Sequence, residues 1–274
     1  MRGDAPSQHD FDHVYTRQLY AGFGHKQFGE LTYGNMITIT DEVTQSDLAN
    51  TYSLTDGLLE TSARRVTQYV YNGDYGSNKV KFGAYYGGSS KRNIKNVDLK
   101  NNRKNTWGTG LIFDHEIDSI QNVTVAAGFT REISENANKT AYYSNAYALG
   151  LAYNFVHTTY GLDLAHKDTK NKDGAGNKVK NNEVTAVIRQ GLNEDWNVYA
   201  MYSYKTEKTL PVGSAYSKST DRQFLVGTEY YVYNQGSLKV KPFLEWQATR
   251  TKYENDTKDR IRDFKTVIGL RAYW

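Results

Sequence analysis

Apolar and polar side chains alternate along nearly the whole chain from Val14 onward. Successive side chains on a strand point to opposite sides, so a period of two marks strands with two unlike faces. In the run Val80–Gly88, Val80, Phe82, Ala84 and Tyr86 oppose Lys81, Gly83 and Tyr85. Ala141–Asn154 puts Tyr143, Tyr147, Leu149, Leu151 and Tyr153 on one side and Ser144, Ala146, Ala148, Gly150 and Ala152 on the other. Arg222–Tyr233 sets Phe224, Val226, Tyr230 and Val232 against Gln223, Gly227 and Glu229. The last run sets Phe264, Ile268, Leu270, Ala272 and Trp274 against Lys265, Gly269 and Arg271. About thirteen such runs can be counted.

The connections alternate as well. Short ones fall at 24–27, 72–78, 117–121, 155–157, 193–195 and 234–236, and long polar ones at 38–61, 88–105, 133–140, 168–182, 207–221 and 254–260. An up-and-down barrel in an outer membrane has this pattern, with short periplasmic turns and longer external loops. A Greek-key sandwich does not need it. Lipid offers no water to a free strand edge, so a sheet that spans it must close.

Composition fits that reading. No stretch approaches the eighteen or so consecutive apolar residues of a membrane helix. A barrel shows lipid only every second residue, so a low mean hydropathy of -0.72 does not argue against a membrane. A small soluble barrel would fill its interior with apolar groups. Here the face opposite the aromatics carries Lys, Arg, Asp, Glu, Gly and Thr, which suits a wet lumen. Trp107, Tyr143, Tyr153, Trp196, Tyr204 and Trp246 fall where membrane-interface girdles place aromatics. There is no cysteine, which removes disulfides and Cys-based metal sites, and no metal or cofactor is expected. The net charge of +4 is spread without a basic stripe, which gives no support to nucleic-acid binding. Met1–Ser7 lacks the apolar core of a signal peptide.

The stretch Arg17–Val66 organises the rest: a strand, a tight turn, a second strand, then the loop Thr38–Thr61. That loop carries Asp41, Glu42, Asp47, Asp56 and Glu60 and no Lys or Arg. It is too long for a hairpin tip. The expectation is a loop folded into a pore, its carboxylates facing arginines on the wall.

Tyr15–Phe23, Phe28–Asn35, the acid spacing of Asp41–Asp47, Arg65-Val66, Trp196–Tyr199 and Val267–Trp274 together resemble the trimeric general diffusion porins of Gram-negative outer membranes. The likeness runs over essentially the whole chain. Asn35 stands where the family form FGxxxxGR has its Arg, and the Pro-Glu-Phe-Gly-Gly signature is absent, which marks a divergent branch. The terminal Arg271-Ala272-Tyr273-Trp274 resembles the aromatic C-terminal assembly signal of such proteins, with Trp274 in the decisive place. The resemblance implies an all-β, antiparallel transmembrane β-barrel of about sixteen strands, about thirteen of them present here, with an inward-folded constriction loop. One outer-membrane domain then spans 1–274, with the constriction loop at 37–62 and about three strands and a signal peptide lying upstream. The pore-constriction residues it implies are Arg17, Asp41, Glu42, Asp47, Arg64, Arg65 and Lys81. The implied partners are two further copies in a homotrimer, outer-membrane lipid and lipopolysaccharide, and small polar solutes and ions passing by diffusion.

Three alternatives stand beside that reading. One is a complete, smaller monomeric barrel of about fourteen strands. Another is a solute-specific channel, which would need a continuous basic or aromatic track. Lys81, Arg189, Lys205, Lys239, Lys241, Lys265 and Arg271 instead share the lumen register with Asp114, Asp163, Glu183, Glu229 and Glu245, which favours a general pore. The third is a barrel enzyme. His9, His13, His25, His115, His157 and His166 have no acid or nucleophile at telling spacing, so a non-enzymatic channel is expected.

Overall fold

The computed structural model describes residues 18–95, 97–137, 139–172, 176–211, 213, 215–254 and 260–274. They form one 15-stranded sheet. In chain order the strands are β1 (Leu19–His25), β2 (Gly29–Ile37), β3 (Ser62–Tyr75), β4 (Asn78–Gly87), β5 (Ser90–Arg92), β6 (Asp98–Asp118), β7 (Gln121–Asn136), β8 (Lys139–Phe155), β9 (Thr158–Asn171), β10 (Lys178–Gly191), β11 (Trp196–Leu210), β12 (Ser217–Tyr230), β13 (Tyr233–Gln235), β14 (Leu238–Glu254) and β15 (Arg260–Tyr273). Leaving out the three-residue β5 and β13, thirteen long strands run up and down, each hydrogen-bonded to the next. All the pairings are antiparallel. Among the described residues β1 pairs only with β2 and β15 only with β14, so both edges are open.

The alternation survives in three dimensions. Leu111, Phe113, Leu149, Leu164, Ile188, Phe224, Leu244 and Ile268 are all exposed, on the outer register. So much apolar surface suits lipid and not water. Outer aromatics touch across strands: Trp107 lies 4.9 Å from Phe129, and Phe129 5.0 Å from Tyr147. The other register buries Thr124, Asp163, Glu183, Thr185, Ser203, Lys205, Glu229, Lys241 and Glu245. The core therefore lies between this inner wall and the 38–61 loop, which packs against it.

Strands run further than the alternation suggests. The expected connection 88–105 is largely sheet, since it contains β5 and the first part of β6. Beyond the lipid both faces meet water, so the apolar periodicity stops while the backbone ladder continues.

A loop fastened across the inner wall

The loop is first closed at its neck. The Thr38 amide donates to the Thr61 carbonyl at 2.8 Å, and the Thr38 and Thr40 hydroxyls donate to the Glu60 carbonyl. A short 3₁₀ helix, Ile39–Val43, follows the neck. Its first amide donates to Gln68 Oε1 at 2.7 Å. Ile39, Val43 and Leu59 then pack with Met36, Val66, Tyr85, Ile112, Ala126 and Ala146 in an apolar cluster.

This close approach depends on a row of small wall residues. Gly83, Gly110, Gly128 and Ala148 lie side by side in the register of β4, β6, β7 and β8. A Cβ on Gly83 would sit 2.9 Å from Ile39, and one on Gly128 2.8 Å from Val43. Gly150 and Gly161 continue the path. A Cβ on Gly150 would overlap the Val43 carbonyl oxygen, and one on Gly161 would lie 2.5 Å from the Gln45 carbonyl oxygen.

Past Val43 the wall holds the loop with carboxylates. Asp163 on β9 accepts from the amides of Gln45 and Ser46, both at 2.8 Å, and from the Ser46 hydroxyl at 2.5 Å. Glu245 on β14 accepts from the amides of Asn50, Thr51 and Tyr52 and from the Tyr199 hydroxyl. Glu183 on β10 accepts from the Asp56 amide at 3.0 Å. Asn50 donates its side-chain amide to Tyr199 and to Glu229, and Arg271 donates to the Asn50 carbonyl. Glu229 is held in turn by Lys241 at 2.5 Å and Arg189 at 2.6 Å. Buried charges require such partners. The loop thus crosses from β2 to β14 and β15 and returns past β10 and β7, where the Glu60 amide donates to Thr130.

Beside the expected arginines, wall lysines face the loop acids. Three of the loop's own acids pair with lysines: Glu42 with Lys81, Asp56 with Lys205 at 2.6 Å and Glu60 with Lys167 at 3.2 Å. A lysine's long stem reaches a carboxylate from inside the wall, whereas the arginines nearest the loop in sequence sit at a bulge. Arg64 and Arg65 occupy the irregularity where β2 and β3 change register, with Arg65 at φ 57°. Their guanidinium groups reach the carbonyls of Asn93 and Ser89, and both line a space of about 580 Å³ with Lys91 and Arg92. Arg17 lies outside the described residues.

Asp47 lies elsewhere. With Asp41, Asp56, Lys205, Gln247, Asp263 and Lys265 it lines a polar space of about 1160 Å³ between the loop and the far wall. Its side chain is open to that space. Enough protein surrounds it that lost hydration raises its pKa above the ordinary aspartate value; Glu245 adds to the rise, while Ser53 and Arg271 oppose it. Of the six described among the seven expected constriction residues, Asp41 and Asp47 line one space, Glu42 and Lys81 pair beside β4, and Arg64 and Arg65 line another space.

All six expected girdle aromatics fall on the outer register. Trp196 donates to Thr228 at 2.8 Å, Tyr153 to Gln121 at 2.6 Å, and Tyr143 lies under Arg131 and Lys172. Trp274 follows β15 and is exposed. Asp163, Glu183 and Glu245 are the residues whose part sequence reading misses. Their signal is an acid in the inward register of a strand, although Glu183 also stands directly opposite Lys205.

The model of a family described as Gram-negative porin matches residues 3–241. A major outer membrane protein of Pasteurella multocida (strain Pm70) is 22% identical over 289 residues, covering 99% of this chain and 75% of that protein. Another from Pasteurella multocida is 24% identical over 266 residues, covering 95% and 68%. Among solved structures, a loop L8 deletion mutant of OmpT, an outer membrane protein of Vibrio cholerae, aligns with a TM-score of 0.67 at 17% identity, covering 97% of this chain and 82% of that one. An anion-selective porin from Comamonas acidovorans aligns at 0.58 and 14% identity, covering 90% and 73%. At those identities the structural likeness speaks for the barrel fold alone. Joined to a family match over most of the sequence, to the apolar outer face and to the polar inner one, it leads to one conclusion: this chain belongs to the Gram-negative porin family, whose members are channel proteins of the outer membrane.

Proposed function

We propose that the chain forms a passive, non-enzymatic channel for small hydrophilic solutes and ions, and that residues 37–62 are its constriction within a single barrel domain spanning 1–274. The observation that carries this is the fastening of the loop across the inner wall by Asp163, Glu183 and Glu245. A loop merely resting at a rim would not need three buried carboxylates to hold its amides. The path for solutes is the polar space beside Asp47 and Lys205. Selectivity in such a pore comes from its width and from the charges along it. Acids and lysines share this one, which suits a general pore over a track for one solute. Apolar solutes are disfavoured because they must displace water ordered between opposed charges. The working form is a homotrimer in lipid and lipopolysaccharide, in line with the family likeness.

The chain has no cysteine, so Asp47→Cys supplies a single thiol. In planar bilayers, a bulky methanethiosulfonate reagent should lower the single-channel current of Asp47→Cys and leave that of Lys91→Cys unchanged. Full current after complete labelling of Asp47→Cys would remove the loop from the conduction path.

A further inference from the structure

The outer face carries a row of arginines that the channel does not use. Arg222 on β12 is directly opposite Arg250 on β14, and Arg250 is directly opposite Arg262 on β15. All three side chains are exposed. The next outward pair toward the long connections is Lys252 with Arg260. Like charges directly opposite one another on a sheet repel and destabilise it. The acids that neighbour them in sequence, Asp221 and Asp263, alternate to the inner face. Among the described residues the acid on this outer patch is Glu254, and it is paired with Lys218 at 3.4 Å. The patch therefore has a cationic surplus that the described chain does not neutralise.

Its position says what does. Two residues toward the short-turn end, the same strands present Phe224, Ala248 and Phe264, with Trp246 stacked 6.1 Å from Phe264. On the adjoining strand Tyr204 faces Arg222, whose guanidinium sits 5.8 Å from the ring centre. Aromatics followed by arginines mark the edge of the hydrocarbon layer, where guanidinium groups reach headgroup level while their stems lie along apolar surface.

We propose that Arg222, Arg250 and Arg262 form a binding site for the phosphate of an outer-leaflet glycolipid headgroup. This rests on the outer-membrane reading with the long connections outward. Guanidinium groups take phosphate oxygens in paired, charge-assisted hydrogen bonds, and three on adjacent strands can surround one dianion. A lipid is the source because the apolar face directly below receives the acyl chains.

The test uses the full chain in neutral detergent micelles, titrated with diphosphorylated lipid A and read by native mass spectrometry. Wild type should bind it at least about ten-fold more tightly than the Arg222→Gln, Arg250→Gln, Arg262→Gln triple variant, and dephosphorylated lipid A should lose a similar factor. Excess inorganic phosphate should not displace the lipid. Without lipid, the triple variant should melt at or above the wild-type temperature, because a repulsion is gone. Arg250→Lys should fall between, keeping the charge and losing the fork. Equal lipid A binding by the triple variant, equal binding of dephosphorylated lipid A, or displacement by inorganic phosphate would each overturn the site. Bilayer conductance of the triple variant should match wild type, which keeps a failure here separate from a failure of the channel reading.

Discussion

Both arms of the 38–61 loop pack apolar side chains on the wall, but only the far arm has its backbone clamped by wall carboxylates. The near arm, Ile39–Val43, lies on a wall of glycine and alanine and is held by apolar packing. The far arm, Gln45–Asp56, also buries Leu54 against Val187, Tyr199, Met201 and Leu225, and in addition its amides are held by Asp163, Glu245 and Glu183. Apolar contact has no direction; it fixes how close the loop lies but not its register. A carboxylate accepting from successive amides fixes register and orientation, and in a poorly hydrated place it does so strongly. Packing sets the depth of both arms, most closely on the glycine path of the near arm, and the carboxylates set the register of the far one.

The largest effect should come where the arms meet. Gly150 lies under the Val43 carbonyl, and its added Cβ would also come within 2.9 Å of Asp163 Oδ1. In Gly150→Val the obstruction is backbone on one side and the clamping acid on the other, so neither gives easily. Overpacking of this kind costs about 1–3 kcal/mol or more. The expected result is a loop displaced from both arms, seen as raised single-channel conductance and new protease cleavage within 38–61. Wild-type conductance together with wild-type resistance to cleavage would show that the glycine path does not set loop depth.

A smaller and separable effect should follow Glu245→Gln. The acid accepts from three successive amides, and losing its charge costs about 1.5–3 kcal/mol of local fastening. The near arm is untouched, so mean conductance should stay close to wild type while open-channel noise rises and the amides of Asn50–Tyr52 exchange faster. If noise and exchange are both unaltered, register is set elsewhere.

Much of the fold is legible in the sequence because lipid and water impose their choice on every second residue. That pressure places Leu149 and Leu151 outward and Ala146 and Ala148 inward with no knowledge of partners, and it yields thirteen long strands. It does not reach the strand ends, as the start of β6 at Asp98 shows, because water on both faces imposes nothing. The site is less legible for a different reason. A period of two tells which side Asp163, Glu183 and Glu245 point to but not what lies across from them, and their partners are loop amides, which carry no sequence signature. Gly83, Gly110 and Gly128 likewise read as the small side of a strand; their register with one another appears only once the strands are paired.

The smallest effect sharpens the far arm's electrostatics. Asp47 is not clamped like its neighbours; it faces the polar space, and lost hydration raises its pKa. A raised acid pKa means that the folded chain holds this proton more tightly than the unfolded one does. The unfavourable contribution of its ionisation is complete above the folded pKa and absent below the unfolded value, so stability from this group grows as pH falls through that window. The same window governs the charge presented to passing ions. Lowering the pH through a midpoint above the ordinary aspartate value should reduce the cation-to-anion permeability ratio of the wild type, measured as reversal potential across a salt gradient. Asp47→Asn should start from the lower ratio at neutral pH and lose that component of the titration, with a slight gain in thermal stability at neutral pH. The solvent beside the carboxyl screens it, so the stability change should be far smaller than for Gly150→Val or Glu245→Gln. An Asp47→Asn channel that titrates like wild type over this range would assign the charge to Asp41 or Asp263, which line the same space.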